Sequence, residues 1–318
     1  MTNKEKYRLF CEHEKTIPIF SQAWWLDTVA GDTWDVCLVE NGEEILASMP
    51  YVTKKRYRFT LLSHPPLTQN LGPWLKTSQA KYSKMLSQQK DWMQALIDQL
   101  PRYNYFNQNW HYSQTNWLPF HWCGFEQTTG YTYVIEDLSD IDNVWNGLEA
   151  KIRTDIRKSE NKAGVTVRTD LPIDDFIALN EMTFLRQGMQ MPYSKEFVKG
   201  LVEKAKQRNQ CQWFIGQDEA GKNHAGVLII WDEQSAYYLM GGGNPDLRNS
   251  GATSLCMWEA IKFASTVTKK FDFEGSMIEP IERFFRGFGA VQKSYFSVSN
   301  KPSKILNTML CLKKTIKG

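Results

Sequence analysis

The sequence predicts a mixed α+β (α/β) protein of two tandem domains, each a mostly antiparallel, twisted sheet flanked by helices. Three observations carry this expectation. The 318 residues exceed what one ordinary core organises and fit two domains of about 150 residues each. The composition, 42% hydrophobic and 23% charged, is that of a folded chain. The order of elements, read from hydrophobic periodicity, runs through the chain twice. The two runs end alike: HWCGFEQTTGYTY and FFRGFGAVQKSYF align without a gap, with Gly124-Phe125 on Gly287-Phe288, Trp122 on Phe285 and Tyr133 on Phe296. Agreement of both order and ending is the mark of a tandem duplication.

In the first repeat the reading starts at residue 35. WDVCLVE, EILASMPYV and RFTLLS are strands of a meander. The loop HPPLTQNLGPWL follows, then a helix over residues 81–100. NYFNQNW is a strand, NWLPFHWCGFE a short helix and YTYVIED the last strand. A linking helix over residues 143–162 opens the second repeat, with Trp145, Leu148, Ile152 and Ile156 on one face. VTVRTDL is a strand. Residues 172–187 and 194–208 are two helices, the first opening on proline and the second capped by Ser194. QWFIGQ, AGVLIIW and AYYLMGG form a second meander. After Gly241-Gly242-Gly243 and the loop NPDLRNSG a helix begins near Gly251, burying Ala252, Leu255, Cys256, Ala260 and Phe263. The strand FDF, the helix IERFFRGFG and the strand SYFSVSN close the repeat. The expected domains are residues 1–138 and 139–300, with residues 301–318 a helix or tail packing back on the first.

Charge and cysteine usage narrow the function classes. A net charge of +3 is compatible with anionic ligands but lacks the dense basic stripe of a dedicated DNA binder. The six cysteines are scattered, with no C-x-x-C pair, and fit free thiols in a reducing compartment. The five histidines do not cluster, and no metal site is expected. No run approaches the ~20 apolar residues of a membrane span and the N-terminus has no apolar signal core, so a cytoplasmic protein is expected. Oligomeric state is not encoded legibly.

Three constellations could carry chemistry. The first is KKFDFEGSMIEPIERFFRGFGA, residues 269–290, where a strand delivers Asp272 and Glu274 to its C-terminal edge on one face. Strand ends facing a helix start are where such folds place ligands. Glu274 there can take a proton from an attacking amine or bind an ammonium; equally, it can cap the next helix or pair with Arg283 or Arg286. The second is the glycine run with Arg248-Asn249-Ser250-Gly251-Ala252, where glycine permits close approach and a helix N-terminus offers free N–H groups to an anion. A plain turn is the alternative. The third is the linking helix, with Arg153, Arg157 and Glu160 on one flank and Lys151, Asp155 and Lys158 on another. It reads either as a solvated face or as a cationic wall for a phosphate- or carboxylate-bearing acceptor.

These motifs resemble those of the GNAT acyltransferase superfamily. Arg248–Ala252 is similar to its acyl-CoA-binding R-x-x-G-x loop, and Phe284-Phe285-Arg286-Gly287-Phe288 is similar to its closing helix. Two such domains in one chain, with KIRTDIRKSENKAGV in the linking helix and FDFEGS before FFRGFG, resemble the Fem aminoacyltransferases, which add amino acids to peptidoglycan precursors from aminoacyl-tRNA. The resemblance covers essentially the whole chain, most strongly residues 143–300. It implies two GNAT-like domains and an acyltransferase moving an acyl or aminoacyl group from acyl-CoA (acetyl-CoA) or aminoacyl-tRNA to an amine. The acceptor would be a cell-wall precursor, an amino sugar or another small amine.

The resemblance also implies that the strand carrying Tyr238, Gly242 and Gly243 splays away from the strand carrying Asp272, exposing backbone amides. Arg248, Asn249, Ser250, Gly251 and Ala252 would then hold the donor's phosphates. Glu274 is the implied base, Ser276 a contact, and Arg286 an electrostatic brace, since arginine cannot shuttle a proton. Arg153, Arg157, Tyr238 and Asp272 would meet substrate, as would Gln69 and Trp74 in the first repeat. The helices at 172–210 lack the long arm of several Fem proteins, which favours acyl-CoA over tRNA. Where GNAT enzymes often carry a tyrosine acid, this chain has Phe284 and Phe285. A non-catalytic GNAT-like binding protein that has lost the general acid is therefore the alternative.

Overall fold

A computed structural model describes residues 1–275 and 277–303, and these divide into two compact units, Met1–Gly130 with residues 294–303, and Tyr131–Lys293. The division falls within a strand, eight residues before the boundary expected from the sequence, and the last strand returns to the first unit. The expected tail lies, from residue 304 on, outside the described residues, as does Ser276.

In chain order the elements are α1 (Asn3–His13), α2 (Ala23–Ala30), β1 (Trp34–Asn41), β2 (Glu44–Arg56), β3 (Phe59–Leu62), β4 (Trp74–Leu75), α3 (Tyr82–Asp98), β5 (Tyr105–Asn109), α4 (Leu118–Trp122) and β6 (Glu126–Ile135). Then follow α5 (Ile141–Gly147), α6 (Ala150–Asn161), β7 (Thr166–Arg168), α7 (Ile173–Arg186), α8 (Lys195–Gln207), β8 (Cys211–Gln217), β9 (Asn223–Trp231), β10 (Ser235–Gly243), α9 (Ala252–Ala264), β11 (Lys270–Asp272), α10 (Glu279–Arg286) and β12 (Val291–Asn300). Both meanders form as the periodicity requires: β1 with β2 and β2 with β3, then β8 with β9 and β9 with β10, all antiparallel.

In the first unit β3 meets β5 in parallel at Leu61↔Tyr105 and Leu62↔Phe106, and β12 pairs β5 from Ser297↔Asn109 to Asn300↔Phe106. Its core gathers Met49, Leu62, Met93, Phe106, Trp110, Phe120, Phe125 and Val298. The helices α1 and α2 precede everything read from the sequence. α1 is started by a capping box, Thr2 accepting from the Glu5 N–H while Glu5 reaches back to the Thr2 N–H. The alignment of endings holds at Phe125 and Phe288, both buried, but not at the preceding aromatic: Trp122 is 61% exposed and Phe285 4%.

In the second unit β11 pairs β6 at Phe271↔Ile135 and Asp272↔Val134, and β7 pairs β8. One face of this sheet, with Val227, Ile229, Ala236, Phe271 and Phe273, packs on the buried stripes of α6 and α9. The other is covered by α7, whose Phe176 and Leu179 lie against Gly226 of β9. The linking helix expected over residues 143–162 is two helices. The chain is extended at Leu148 (φ −64°, ψ 142°), and the Glu149 N–H donates to the Gly287 carbonyl. At this break the Arg153 guanidinium donates to the carbonyls of Trp145, Asn146 and Leu148.

A gap between two strands and the carboxylate beside it

β10 and β11 run side by side for three residue pairs only, Ser235↔Lys270, Ala236↔Phe271 and Tyr237↔Asp272. β11 then ends, while β10 continues to Gly243 with β9 still beside it. A register shift between Tyr238 and Met240 marks a bulge where the strands part, and bulges bend a strand away from its neighbour. The glycines beyond it serve packing within the unit. A Cβ on Gly241 would meet the Tyr238 hydroxyl at 1.8 Å, and one on Gly242 would meet the backbone of Asn180 at 2.4 Å. Close approach of α7 is therefore the reason for glycine at 242, where the sequence reading expected a ligand.

The chain leaves β11 through a strained corner. Phe273 still donates its N–H to the Tyr133 carbonyl, but Glu274 (φ +60°) and Gly275 (φ +66°) are both left-handed. Gly275 abuts the Tyr131 carbonyl, 2.1 Å from where a Cβ would stand. For glutamate such a backbone costs about 1–3 kcal/mol and persists only when its surroundings enforce it. The expectation that Asp272 and Glu274 share a strand face is thus replaced by a turn: the Glu274 N–H donates to Asp272 Oδ1 at 2.8 Å, and the Thr132 hydroxyl donates to the same oxygen.

Asp272 is buried, and burial raises its pKa to about 6, opposed by those two hydrogen bonds and reinforced by Asp232. Glu274 as a residue is half-buried, yet its Oε1 is shielded from solvent and has no hydrogen-bond partner among the described residues. Burial first, then the charges of Asp272 and Asp232, hold its carboxyl well above the usual range. Pairing with Arg283 or Arg286 does not occur. Instead Arg286, with its side chain 52% exposed, donates to Glu282 Oε1 at 2.9 Å and lies 3.9 Å from Glu149. Glu282 Oε1 also accepts from the Tyr133 hydroxyl at 2.6 Å.

The aromatic pair of α10 has a packing role. Phe285 is buried against Phe273 at 5.2 Å and edge-on to Tyr238 at 5.7 Å. Burial raises the Tyr238 phenol to about 12.

The remaining candidates fall into three places. In the Arg248–Ala252 loop, Arg248 and Asn249 are exposed and Gly251 is left-handed (φ +85°). The Asp155 carbonyl of α6 lies 2.2 Å from where a Gly251 Cβ would be, so this glycine admits α6. Ala252 donates its N–H to Ser250 Oγ, and Lys158 of α6 donates to the Asn249 carbonyl. On α6, Arg153 serves the α5 carbonyls and Arg157 lies 5.7 Å over the Trp145 ring. In the first unit Gln69 is exposed, while Trp74 donates to Thr16 Oγ1 and packs edge-on to Phe10. Sequence reasoning missed two groups bordering the gap. Asn180 and Thr183 of α7 bond the Gly241 carbonyl and the Gly243 N–H. The only sequence signal was their i, i+3 spacing on the helix facing the sheet.

Comparisons with known proteins bear on the fold. Residues 148–276 match the family described as an acetyltransferase (GNAT) domain. The crystal structure of FemX aligns over 93% of this chain and 96% of its own, at 12% identity and a TM-score of 0.69. L-PGS from Bacillus licheniformis aligns over 98% and 96%, at 12% identity and 0.57. A tandem GNAT protein from the clavulanic acid biosynthesis pathway aligns over 95% and 94%, at 9% identity and 0.54. A sequence search of curated proteins gives no match. The fold is a tandem GNAT fold. Among the described residues no helix is long and apolar enough to cross a membrane.

Proposed function

We propose that the protein is an N-acyltransferase whose second unit moves an acyl or aminoacyl group from an activated carrier onto an amine. The observation that carries this reading is Glu274: a carboxyl whose shielded Oε1 has no partner among the described residues, on strained backbone, where β10 and β11 part. Strain, burial and an unmet hydrogen bond together are costs that a folded chain retains for function. The GNAT match over residues 148–276 supports the reaction class.

An amine is unreactive as an ammonium and must lose a proton as it attacks a carbonyl. A carboxylate with a raised pKa is a stronger base than an ordinary one, and Glu274 is suited to take that proton. Asp272, tied to the Glu274 N–H, orients the corner that presents it. The carrier supplies an activated carbonyl and its leaving group. Arg286, exposed and held by Glu282, is the proposed surface contact for an anionic part of the acceptor or carrier. The Fem resemblance favours a cell-wall precursor amine as acceptor, with an amino sugar or another small amine the narrower choices.

The test is acyl transfer from acyl-CoA and aminoacyl-tRNA panels to such amines, comparing the protein with Glu274→Gln. The reading expects a rate loss of about 10²- to 10⁴-fold with binding retained. The second reading, a binding protein without turnover, draws on Phe285, which fills core space where an acid would be needed. Donor and acceptor binding with no turnover in any combination would establish it.

A further inference from the structure

Beyond Tyr237 the edge of β10 has lost its strand partner, yet it is not bare. The Asn244 N–H donates to the His224 carbonyl, so that pair is hydrogen-bonded in the β10–β9 ladder. Antiparallel pairing alternates, so Gly243↔Ala225 and Gly241↔Val227 turn their N–H and C=O groups away from β9, toward the gap. Two of these groups are already taken. Asn180 Nδ2 donates to the Gly241 carbonyl at 2.6 Å, and the Gly243 N–H donates to Thr183 Oγ1 at 3.1 Å.

Both side chains are themselves held. The Tyr193 hydroxyl donates to Asn180 Oδ1 at 3.3 Å, and the Thr183 hydroxyl donates to the Leu179 carbonyl at 3.3 Å. Asn180 is 3% exposed. A carbonyl at one residue and an N–H two residues later are the groups that one residue of a parallel neighbour would satisfy. The side chains of Asn180 and Thr183 supply that donor and that acceptor.

We propose that Asn180 and Thr183 determine donor specificity: they occupy the β10 edge opposite Gly242, five residues beyond the last β10–β11 pair, where a continuing parallel neighbour would bond, and exclude a carrier whose arm binds by pairing its own amides with that edge. The phosphopantetheine arm of coenzyme A, an extended chain with two secondary amides, is such a carrier. An ester carrier that presents its acyl group without strand addition meets no such obstacle. Displacing the pair would leave the buried Asn180 amide N–H without its acceptor and cost Thr183 Oγ1 the bond it accepts, offsetting what the arm gains from two hydrogen bonds. The inference rests on reading the gap as the donor site.

The experiment is calorimetric titration of the full-length protein with coenzyme A and acetyl-CoA, for wild type, Thr183→Val and the double variant Asn180→Ala/Thr183→Ala. Thr183→Val keeps the shape of the side chain and frees the Gly243 N–H, and amide exchange at Gly243 reports that release. Wild type is expected to give no heat at millimolar ligand, and the double variant to gain affinity at least about tenfold. Thr183→Val is expected to gain in the same direction, and it decides the question if circular dichroism shows the double variant unfolded. Wild-type binding of coenzyme A that the substitutions leave unchanged overturns the proposal, as does a folded variant with faster Gly243 exchange and no gain. Neither result touches the role of Glu274, which the rate of Glu274→Gln tests separately.

Discussion

Glu274 sets stability against chemistry at one position. Glycine accepts φ +60° without strain, so Glu274→Gly should raise the melting temperature of the free protein by a few degrees while abolishing acyl transfer. Thermal melts beside turnover assays check both halves. Asp272 gives a second, pH-dependent prediction. Its pKa is raised to about 6, so the folded state holds the proton more tightly than the unfolded chain. Its contribution is therefore present below the unfolded value near 4 and is lost as pH rises through 6. Asp272→Asn keeps an acceptor oxygen for Thr132 and the Glu274 N–H. It should match wild type at pH 4 and exceed it by on the order of 3 kcal/mol at pH 8, measured by denaturant unfolding. The two acids were legible in FDFEGS as a pair at a strand end. Their environment was not, because nothing local requires a glutamate to adopt a left-handed backbone. Thr132 and the Tyr131 carbonyl impose it from a distant part of the chain.

Strands and helices with strong periodicity were read within a few residues, because alternation and capping are local: Ser194 accepts the Phe197 N–H of α8 as the sequence indicated. What failed were features settled by tertiary contact. The apolar stripe Trp145, Leu148, Ile152 and Ile156 continues across the α5–α6 break, so periodicity alone joined two helices into one. The polar residues of α7 were given no role in the sequence reading, yet two of them meet the edge of β10. The same contact makes a prediction for the element. Gly242→Ala drives a methyl group into the backbone of Asn180 and should cost about 1–3 kcal/mol by overpacking. Chemical denaturation would register it, and a neutral result would mean that α7 does not sit against β10.

At the scale of the chain, the second unit is inserted ahead of the strand that completes the first. β12 places Val298 in the first core and pairs β5 over four residues. A chain ending at residue 293 should therefore lose the unfolding transition of the first unit in calorimetry and keep that of the second. The duplication was legible because each repeat ends on a buried Phe after glycine; the crossing was not, because element order does not say which sheet a terminal strand joins. Nor were α1 and α2, which lie outside the repeated pattern.

Acyl transfer by this protein requires the shielded Glu274 carboxyl, where two parallel strands diverge, to accept the proton of the attacking amine. The sharpest measurement is the pH dependence of single-turnover acyl transfer to an amine by wild type and Glu274→Gln. The wild-type rate is expected to climb through an apparent pKa well above the ordinary carboxylate range, and the variant to be slow with that step absent. A variant with wild-type rates and the same profile would contradict this role of Glu274.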